Sequence, residues 1–213
     1  MHFGRRAFPV MSCALAVMAM APAARADLLS GSAWLNVNGW FAAKPLPGGT
    51  PTATFTTNSV NFNTPSPFTL GALLTAIGAN VITDTNSSGI LSTGNCVNSG
   101  SCPGALLDFT GNANLVNGTI YNITHDDGVS LYLDGSAVAV PGFTATPVSQ
   151  TTEHFTFGGT TGVHSFELVY TEVNGAPAVL STDLQFVPDG GMTLMLLGGA
   201  LVGLETLRRK FRV

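Results

Sequence analysis

The chain contains little charge, and its central part almost lacks basic residues. Only 9% of its 213 residues are Asp, Glu, Lys or Arg, against roughly 25% in ordinary globular domains. From Asp27 to Val187, Lys44 is the only Lys or Arg, whereas ten residues are acidic. A nucleic-acid partner needs clustered Lys and Arg to displace counterions, so this composition all but excludes one. An acidic domain is better suited to a cation, or to a neutral ligand such as a glycan.

Sequence motifs that mark common active sites are also missing. The chain has no G-x-S-x-G, H-E-x-x-H or P-loop motif and no paired C-x-x-C, so the usual signatures of hydrolases, zinc proteases and nucleotide-binding enzymes are absent. The adjacent residues Asp126 and Asp127 are poor candidates for a glycosidase, whose two carboxyl groups face each other across the sugar about 5–9 Å apart. We therefore expect that the protein is not an enzyme.

Small polar residues take the place of the missing charges. Gly, Thr, Ser, Asn and Pro favour strands and turns, because Thr is β-branched and the others punctuate turns. The apolar content is still 45%, which excludes a disordered chain. The length allows one domain plus targeting segments.

The N-terminus has the three parts of a secretory signal peptide. Arg5 and Arg6 form a positive region, residues 7–21 are apolar and uncharged, and an Ala-Arg-Ala sequence ends at Ala26. We expect residues 1–26 to be removed by signal peptidase between Ala26 and Asp27. The alternative is a transmembrane anchor, but the apolar run is short. The arginine pair also fits a twin-arginine signal, although such pairs are common in the general secretory route.

The C-terminus, residues 187–213, has a second ordered pattern. Val187-Pro188-Asp189-Gly190-Gly191 precedes thirteen uncharged, mostly apolar residues, and a basic cluster follows at 208–212. Thirteen helical residues span about 20 Å, less than the ~30 Å hydrocarbon core, although the segment from Gly190 to Leu207 nearly spans it. The basic cluster should stay cytoplasmic, which leaves the domain outside.

This tail resembles the PEP-CTERM sorting signal of Gram-negative bacteria, with Asp189 where that family usually has Glu. The resemblance implies that an exosortase recognises the motif and removes the tail, in hosts that usually make exopolysaccharide. The protein would span the inner membrane transiently and then reach the cell surface or the extracellular space. The alternative is a simple protein with a single retained membrane span.

Three cysteines are present, and Cys13 belongs to the predicted signal peptide. Cys96 and Cys102 remain, with five residues between them. An isolated pair in an oxidising compartment is a disulfide candidate, whereas a zinc site would need further ligands that the neighbouring sequence lacks. We predict a Cys96–Cys102 disulfide that pins a surface loop.

Residues 27–186 are predicted to form the domain, and its first half has weaker patterns. Residues 34–41 and 52–62 resemble strands, 70–77 a short helix, and 80–102 a long loop rich in Asn, Ser, Thr and Gly.

The second half has clearer periodicity. Apolar residues alternate with polar ones in two segments and predict strands whose inward side chains are Leu131, Leu133, Phe166, Leu168 and Tyr170. Residues 125–128 read as a turn, Asp134-Gly135 is a strong hairpin signal, and 179–186 reads as the closing strand. We predict a mainly β fold, a single antiparallel β-sandwich, flanked by a signal helix and a C-terminal transmembrane-like helix.

The segment Asn122-Ile-Thr-His-Asp126-Asp127-Gly128-Val129-Ser-Leu131-Tyr132-Leu133-Asp134-Gly135 resembles the core motif of the protective-antigen-type (PA-fourteen) domain. Residues 162–170, followed by Asn174-Gly175-Ala176, resemble its other recurring motif, so the likeness covers about 105–186. It implies a jelly-roll-like sandwich and, as in some relatives, binding of glycan or matrix. In adhesin members an adjacent Asp pair holds calcium, which in turn holds sugar hydroxyls.

Calcium is therefore the candidate cofactor, with Asp126 and Asp127 as candidate ligands, because calcium prefers 6–8 oxygen ligands. The alternative for this pair is a turn role, since Asp and Gly are favoured in turns. The sequence thus predicts an exported protein associated with the bacterial surface or exopolysaccharide, whose sandwich binds glycan or matrix. A purely structural envelope or matrix protein without a specific ligand is the second possibility.

Overall fold

The computed structural model describes residues 29–37, 41–64, 68–91, 104–138, 143, 145–146, 149–188 and 190–210. Three predicted features lie outside these residues and remain predictions. They are the signal peptide with its Ala26–Asp27 cleavage point, the Cys96–Cys102 disulfide and Asp189 of the sorting motif.

The described chain is mainly β, as predicted. Its strands are β1 (Leu29–Val37), β2 (Ala53–Thr57), β3 (Phe62–Thr64), β4 (Asn80–Asp84), β5 (Gly104–Leu115), β6 (Ile120–Asp126), β7 (Gly128–Leu133), β8 (Ser136–Ala137), β9 (Thr151–Thr156), β10 (Gly162–Glu172), β11 (Ala178–Thr182) and β12 (Gln185–Val187). The helices are α1 (Leu70–Ala76) and α2 (Gly190–Lys210). Every pairing between these strands is antiparallel.

The strands form two sheets. The larger has the order β4-β2-β1-β5-β10-β7-β8, with β12 also paired to β5, and the smaller has the order β3-β11-β6-β9. Successive side chains of a strand point to opposite faces, so each sheet places one set of side chains between the two layers. The result is the predicted antiparallel sandwich.

The core lies between the sheets, and the residues predicted to point inward lie there. Leu131, Phe166, Leu168 and Tyr170 are buried, and Leu133 packs against the same cluster. The rings of Phe62 and Tyr170 meet edge to face across the two sheets, with 5.3 Å between their centroids. Aromatic pairs prefer this arrangement because the positive ring edge faces the negative ring surface.

The short helix α1 closes one end of the sandwich, close to its predicted bounds. The hydroxyl of Thr69 accepts a hydrogen bond from the backbone N–H of Ala72 and caps the first turn. Leu70, Leu73 and Leu74 are buried on the inner side. The apolar face of the helix, rather than its length of seven residues, therefore stabilises it.

The predicted loop over 80–102 is partly wrong, because residues 80–84 form β4. This strand lies at the edge of the larger sheet and all five of its residues are exposed. The Thr83 hydroxyl lies 2.7 Å from that of Thr54 on β2. The segment lacks an apolar face, so its β-branched residues were the only sequence signal for a strand.

The predicted turn at 125–128 is also wrong, because the chain does not reverse there. β6 ends at Asp126 in the smaller sheet and β7 begins at Gly128 in the larger one. Asp127 thus lies at a corner where the chain crosses between the layers. Its carboxylate is held by backbone N–H groups of another segment, which fixes the crossing.

The predicted closing strand over 179–186 is two strands, one in each sheet. β11 pairs with β6 and β3, whereas β12 pairs with β5. Asp183 lies between them, and its carboxylate accepts hydrogen bonds from the backbone and side-chain nitrogens of Asn122, at 2.9 and 2.7 Å. These bonds hold the chain where it leaves one sheet for the other.

The two ends of the domain meet on β5. Leu29, where β1 begins, pairs with Gly111, and Val187, where β12 ends, pairs with the next residue, Asn112. The helix α2 follows. Its Glu205 forms ion pairs with Arg208 and Arg209, at 3.7 and 3.2 Å. Among the described residues, no helix combines the length and apolar content that a membrane crossing requires.

Candidate functional site

The predicted ligand pair lies at the corner between β6 and β7, and the two side chains are hydrogen-bonded to each other. The peptide bond between Asp126 and Asp127 is cis. Asp127 is fully buried. Its Oδ2 accepts the backbone N–H groups of Val173 and Asn174, at 2.7 and 2.9 Å, and its Oδ1 accepts the side-chain amide of Asn174 at 2.9 Å.

A third carboxyl group, which the sequence analysis did not single out, joins the pair. Glu172, at the end of β10, is 1% exposed and is hydrogen-bonded to Asp127. Its Oε2 lies 3.0 Å from the hydroxyl of Tyr170, which also contacts the carbonyl oxygen of Asp126. The site is therefore a continuous chain of oxygen groups from Asp126 through Asp127 and Glu172 to Tyr170.

Burial and mutual repulsion shift these carboxyl groups toward the protonated form. Burial, then the charges of Asp127 and Asp126, raise the pKa of Glu172 to about 9. Burial, then the charge of Asp127, raise the pKa of Asp126 to about 6. Burial also raises the pKa of Asp127, but the N–H groups of Val173 and Asn174 oppose the shift. Asp127 is thus the carboxyl group that its surroundings best support as an anion.

His125 lies beside this chain of groups but faces the core. It is fully buried, and its Nδ1 lies 2.5 Å from the carbonyl oxygen of Asp127. Burial lowers the pKa of the imidazole, so the ring is neutral at neutral pH. Its Nδ1–H therefore donates to that carbonyl, which fixes the ring against the corner.

The opposite side of the corner is formed by backbone from the segment before β9. The N–H of Gln150 donates to the carboxylate of Asp126. A Cβ on Gly128 would lie 3.1 and 3.0 Å from the carbonyl oxygens of Ala145 and Thr146. A side chain here would press against those carbonyls and against the Thr171 methyl group, 2.9 Å away, which accounts for the Gly after the Asp pair.

Two oxygen atoms of the site are buried without a hydrogen-bond partner among the described residues. They are Oε1 of Glu172 and Oδ1 of Asn174. Unpaired buried oxygens are costly, and hard oxygen donors are those that calcium prefers. No three His, Cys, Asp or Glu side chains in the described chain converge as ligands of one metal ion. A calcium ion at this corner would have to take its ligands from the Asp pair, the Asn174 amide oxygen and nearby carbonyls.

Glu172 and Asn174 could have been found from their spacing. Tyr170 and Glu172 are alternate residues at the end of β10 and share a face, and Asn174 follows two residues beyond the strand. The buried Tyr170 places this face toward the core, so a carboxyl group two residues later must find a polar partner at the strand's end. That partner, Asp127, is far away in sequence and only the fold reveals it.

The other predicted site residues lie elsewhere. Asp134 and Gly135 form the predicted hairpin turn with φ of 49° and 76°, and the Asp134 carboxylate binds His164 at 2.7 Å. Val187 of the predicted sorting motif ends β12, and Gly190 begins α2. The motif therefore overlaps the end of β12 and the start of α2.

The sequence matches no protein-family model and no curated protein. Several solved structures are similar to it. One is the PA14 domain of the MpAFP antifreeze protein, with 17% identity, a TM-score of 0.47, and coverage of 76% of this chain and 87% of that one. Another is a PA14 sugar-binding domain from an RTX adhesin, with 22% identity, a TM-score of 0.47, and coverage of 75% and 90%. A third is a GH31 α-xylosidase from Xanthomonas citri, with 11% identity, a TM-score of 0.38, and coverage of 73% and 14%.

Proposed function

We propose that this protein is an exported, calcium-dependent glycan-binding protein of the bacterial surface or exopolysaccharide. The supporting observation is the group of oxygen atoms at the β6–β7 corner. Asp126, Asp127 and Glu172 are brought together there, and the amide oxygen of Asn174 is buried without a hydrogen-bond partner in the described chain. Carboxylate and amide oxygens are calcium ligands.

The charge distribution supports a cation rather than a basic partner at this corner. Lys44 is the only Lys or Arg between Asp27 and Val187, and its Nζ forms an ion pair with Glu167 at 2.5 Å. Bound calcium would balance the negative charge of the Asp pair, and it would offer coordination positions to neutral sugar hydroxyls. In this proposal Asp126 and Asp127 orient the ion and Asn174 adds a neutral oxygen.

The route to the surface belongs to the same proposal. Signal peptidase would release Asp27, and an exosortase-type enzyme would act at the segment from Val187 to Gly191. Because β12 ends at Val187, removal of the residues after Pro188 would leave every strand of the sandwich in place. The proposal assigns a binding role, and the sequence offers none of the motifs that mark common active sites.

Calcium titration by calorimetry tests the metal. After dialysis against a chelator, the exported protein should bind calcium, and Asp126→Asn should weaken binding at least tenfold because a charged ligand is lost. Asp84→Asn is the matched control, since Asp84 is an exposed carboxylate on β4 whose Oδ1 only accepts the Asn86 N–H at 3.0 Å. No binding at millimolar calcium by the folded protein would exclude the metal.

A purely structural role is the second candidate, and one observation favours it. Both oxygens of Asp127 already accept hydrogen bonds from Val173 and Asn174, so the Asp pair has a role in the fold without any metal. Retention on neutral-glycan columns separates the two candidates. Binding that disappears on adding chelator supports the glycan role, and no retention on any neutral glycan supports the structural one.

A further inference from the structure

An open groove lies on the outer face of the smaller sheet, beside the candidate calcium site. Its volume is about 480 Å³, and its lining includes Asn61, Asn63, Thr124, Gln150, Val179 and Ser181. This volume is within the range of small-ligand sites, which is roughly 300–1,000 Å³. The groove lines up residues from β3, β11 and β6, which are adjacent strands of that sheet.

The groove and the calcium site share a boundary at Asp126. Tyr121, Ile123 and His125 of β6 point into the core, so the alternate residues Thr124 and Asp126 face outward. Across the sheet, Asp126 pairs with Val179 and Val179 pairs with Asn63. Neighbouring strands are 4.7–4.9 Å apart, so this row extends about 10 Å from the Asp pair, which is comparable with the length of a disaccharide.

Gln150 links the two sites a second time. It lines the groove, and its backbone N–H donates to the Asp126 carboxylate. A ligand that contacts the Gln150 side chain would therefore lie next to the group that is proposed to hold calcium. A sugar bound to the calcium ion would therefore lie next to the end of the groove at Asp126.

The lining chemistry selects a neutral polar ligand. The six residues named above carry amide, hydroxyl and apolar side chains, and none is charged. The Asn63 amide and the Ser181 hydroxyl make no hydrogen bond with any other described residue, and Asn61 uses its oxygen for the N–H of Thr182, at 2.9 Å. Amide groups can each donate and accept, as sugar hydroxyls do.

We propose that this groove is an extended subsite that binds the next residues of a neutral polysaccharide chain whose first sugar is held at the Asp126–Asp127 site. The inference rests on the proposed glycan-binding function and adds the substrate class, namely uncharged polymers rather than single sugars. Asn63 and Ser181 are the specificity-determining residues, because their polar groups are available and lie on adjacent strands.

The experiment measures how affinity depends on chain length. The exported protein is titrated with cellohexaose, maltohexaose and mannohexaose and with the matching disaccharides, in calcium and in chelator. We expect at least one hexasaccharide to bind about tenfold tighter than its disaccharide, equivalent to about 1.4 kcal/mol. The double variant Asn63→Ala/Ser181→Ala should lose this gain and keep the disaccharide affinity. Asn114→Ala is the control, since Asn114 is exposed on β5 of the other sheet.

Each outcome separates the groove from the calcium site. Calcium-dependent disaccharide binding without a gain for hexasaccharides would overturn the groove and leave the proposed function. A gain that survives in the double variant would also overturn it. A hexasaccharide gain that persists in chelator and is lost in the double variant would support the groove and remove calcium from the proposed function. No binding of any oligosaccharide would overturn both.

Discussion

Single residues decide how closely the strands pack, and Gly31 is the sharpest case. It pairs with Phe55 across β1 and β2, and a Cβ at this position would lie 2.3 Å from the Phe55 ring. The ring has little room to move, because it is 1% exposed and meets Phe109 edge to face at 5.8 Å. The Gly therefore provides the space that the aromatic ring fills.

We expect Gly31→Ala to lower the free energy of unfolding by about 1–3 kcal/mol, the usual cost of overpacking a core. Chemical denaturation of the exported protein measures it. Gly48→Ala is the matched control, because a Cβ on Gly48 would have no atom within 4 Å. Equal stability of the two variants would show that the Phe55 ring can move aside.

Asp108 is a residue whose protonation should alter stability. It is 9% exposed on the outer face of the larger sheet, and its Oδ1 has no hydrogen-bond partner among the described residues. Burial, then repulsion by Glu167, raise its pKa to about 6, although Lys44 opposes the shift. The folded protein therefore holds this proton more tightly than the unfolded chain, whose Asp has a pKa of about 3.9.

It follows that the free energy of unfolding should fall as the pH rises from about 4 to about 6, because the folded state binds more protons in that window. Asp108→Asn mimics the protonated acid and should remove this part of the decrease. Urea denaturation across that pH range measures it, with Asp84→Asn as the exposed control. Parallel pH profiles for Asp108→Asn and the unmodified protein would contradict the assignment.

Among the elements, β7 and β10 were predictable and the connections were not. Leu131, Leu168 and Tyr170 alternate with polar neighbours, and a period of two determines which face is buried. The corner at Asp127 gave no such signal, since Asp and Gly favour turns wherever they occur. What makes it a corner is contact with Val173 and Asn174, which are more than forty residues away.

The same reasoning explains the candidate site. The sequence shows Asp126 and Asp127 as an adjacent acidic pair. In the structure their side chains are hydrogen-bonded to each other. Glu172 has no acidic neighbour in sequence, and its role depends on the pairing of β10 with β7. Groove residues such as Asn63 have no distinguishing sequence pattern. Their shared position becomes apparent only from the pairing of β3 with β11.

The strand β7, next to last in the larger sheet, allows a direct test of the predicted inward face. Leu131 is 1% exposed, so Leu131→Ala should lower the free energy of unfolding by about 2–5 kcal/mol through lost burial and a cavity. Leu133→Ala should cost less, because Leu133 is only partly buried. Thermal or urea denaturation of both variants measures the difference. A larger loss at Leu133 would mean that the core lies nearer the hairpin.

At the scale of the whole molecule, the sandwich ends with β12 and the tail helix α2 follows it in sequence. The described side chains of α2 from Gly198 to Glu205 are exposed, and β12 has ended before the helix begins. We expect the mature protein to start at Asp27 and to lack the residues after about Pro188, because each end has a complete targeting pattern. Intact-mass spectrometry of the native protein measures both ends. A mass that includes residues 191–213 would instead indicate a retained anchor.

Leu29 and Val187 pair with adjacent residues of β5, so the first and last strands of the domain have their outer ends close together. A domain whose two ends lie close together can be circularly permuted, or inserted into a loop of a host protein, without distortion of the domain or the host. A short Gly-Ser linker from Val187 to Leu29, with new ends between Gly48 and Gly49, should give a cooperatively unfolding β protein by circular dichroism. The sandwich could then be inserted as a whole into a single surface loop of a host protein.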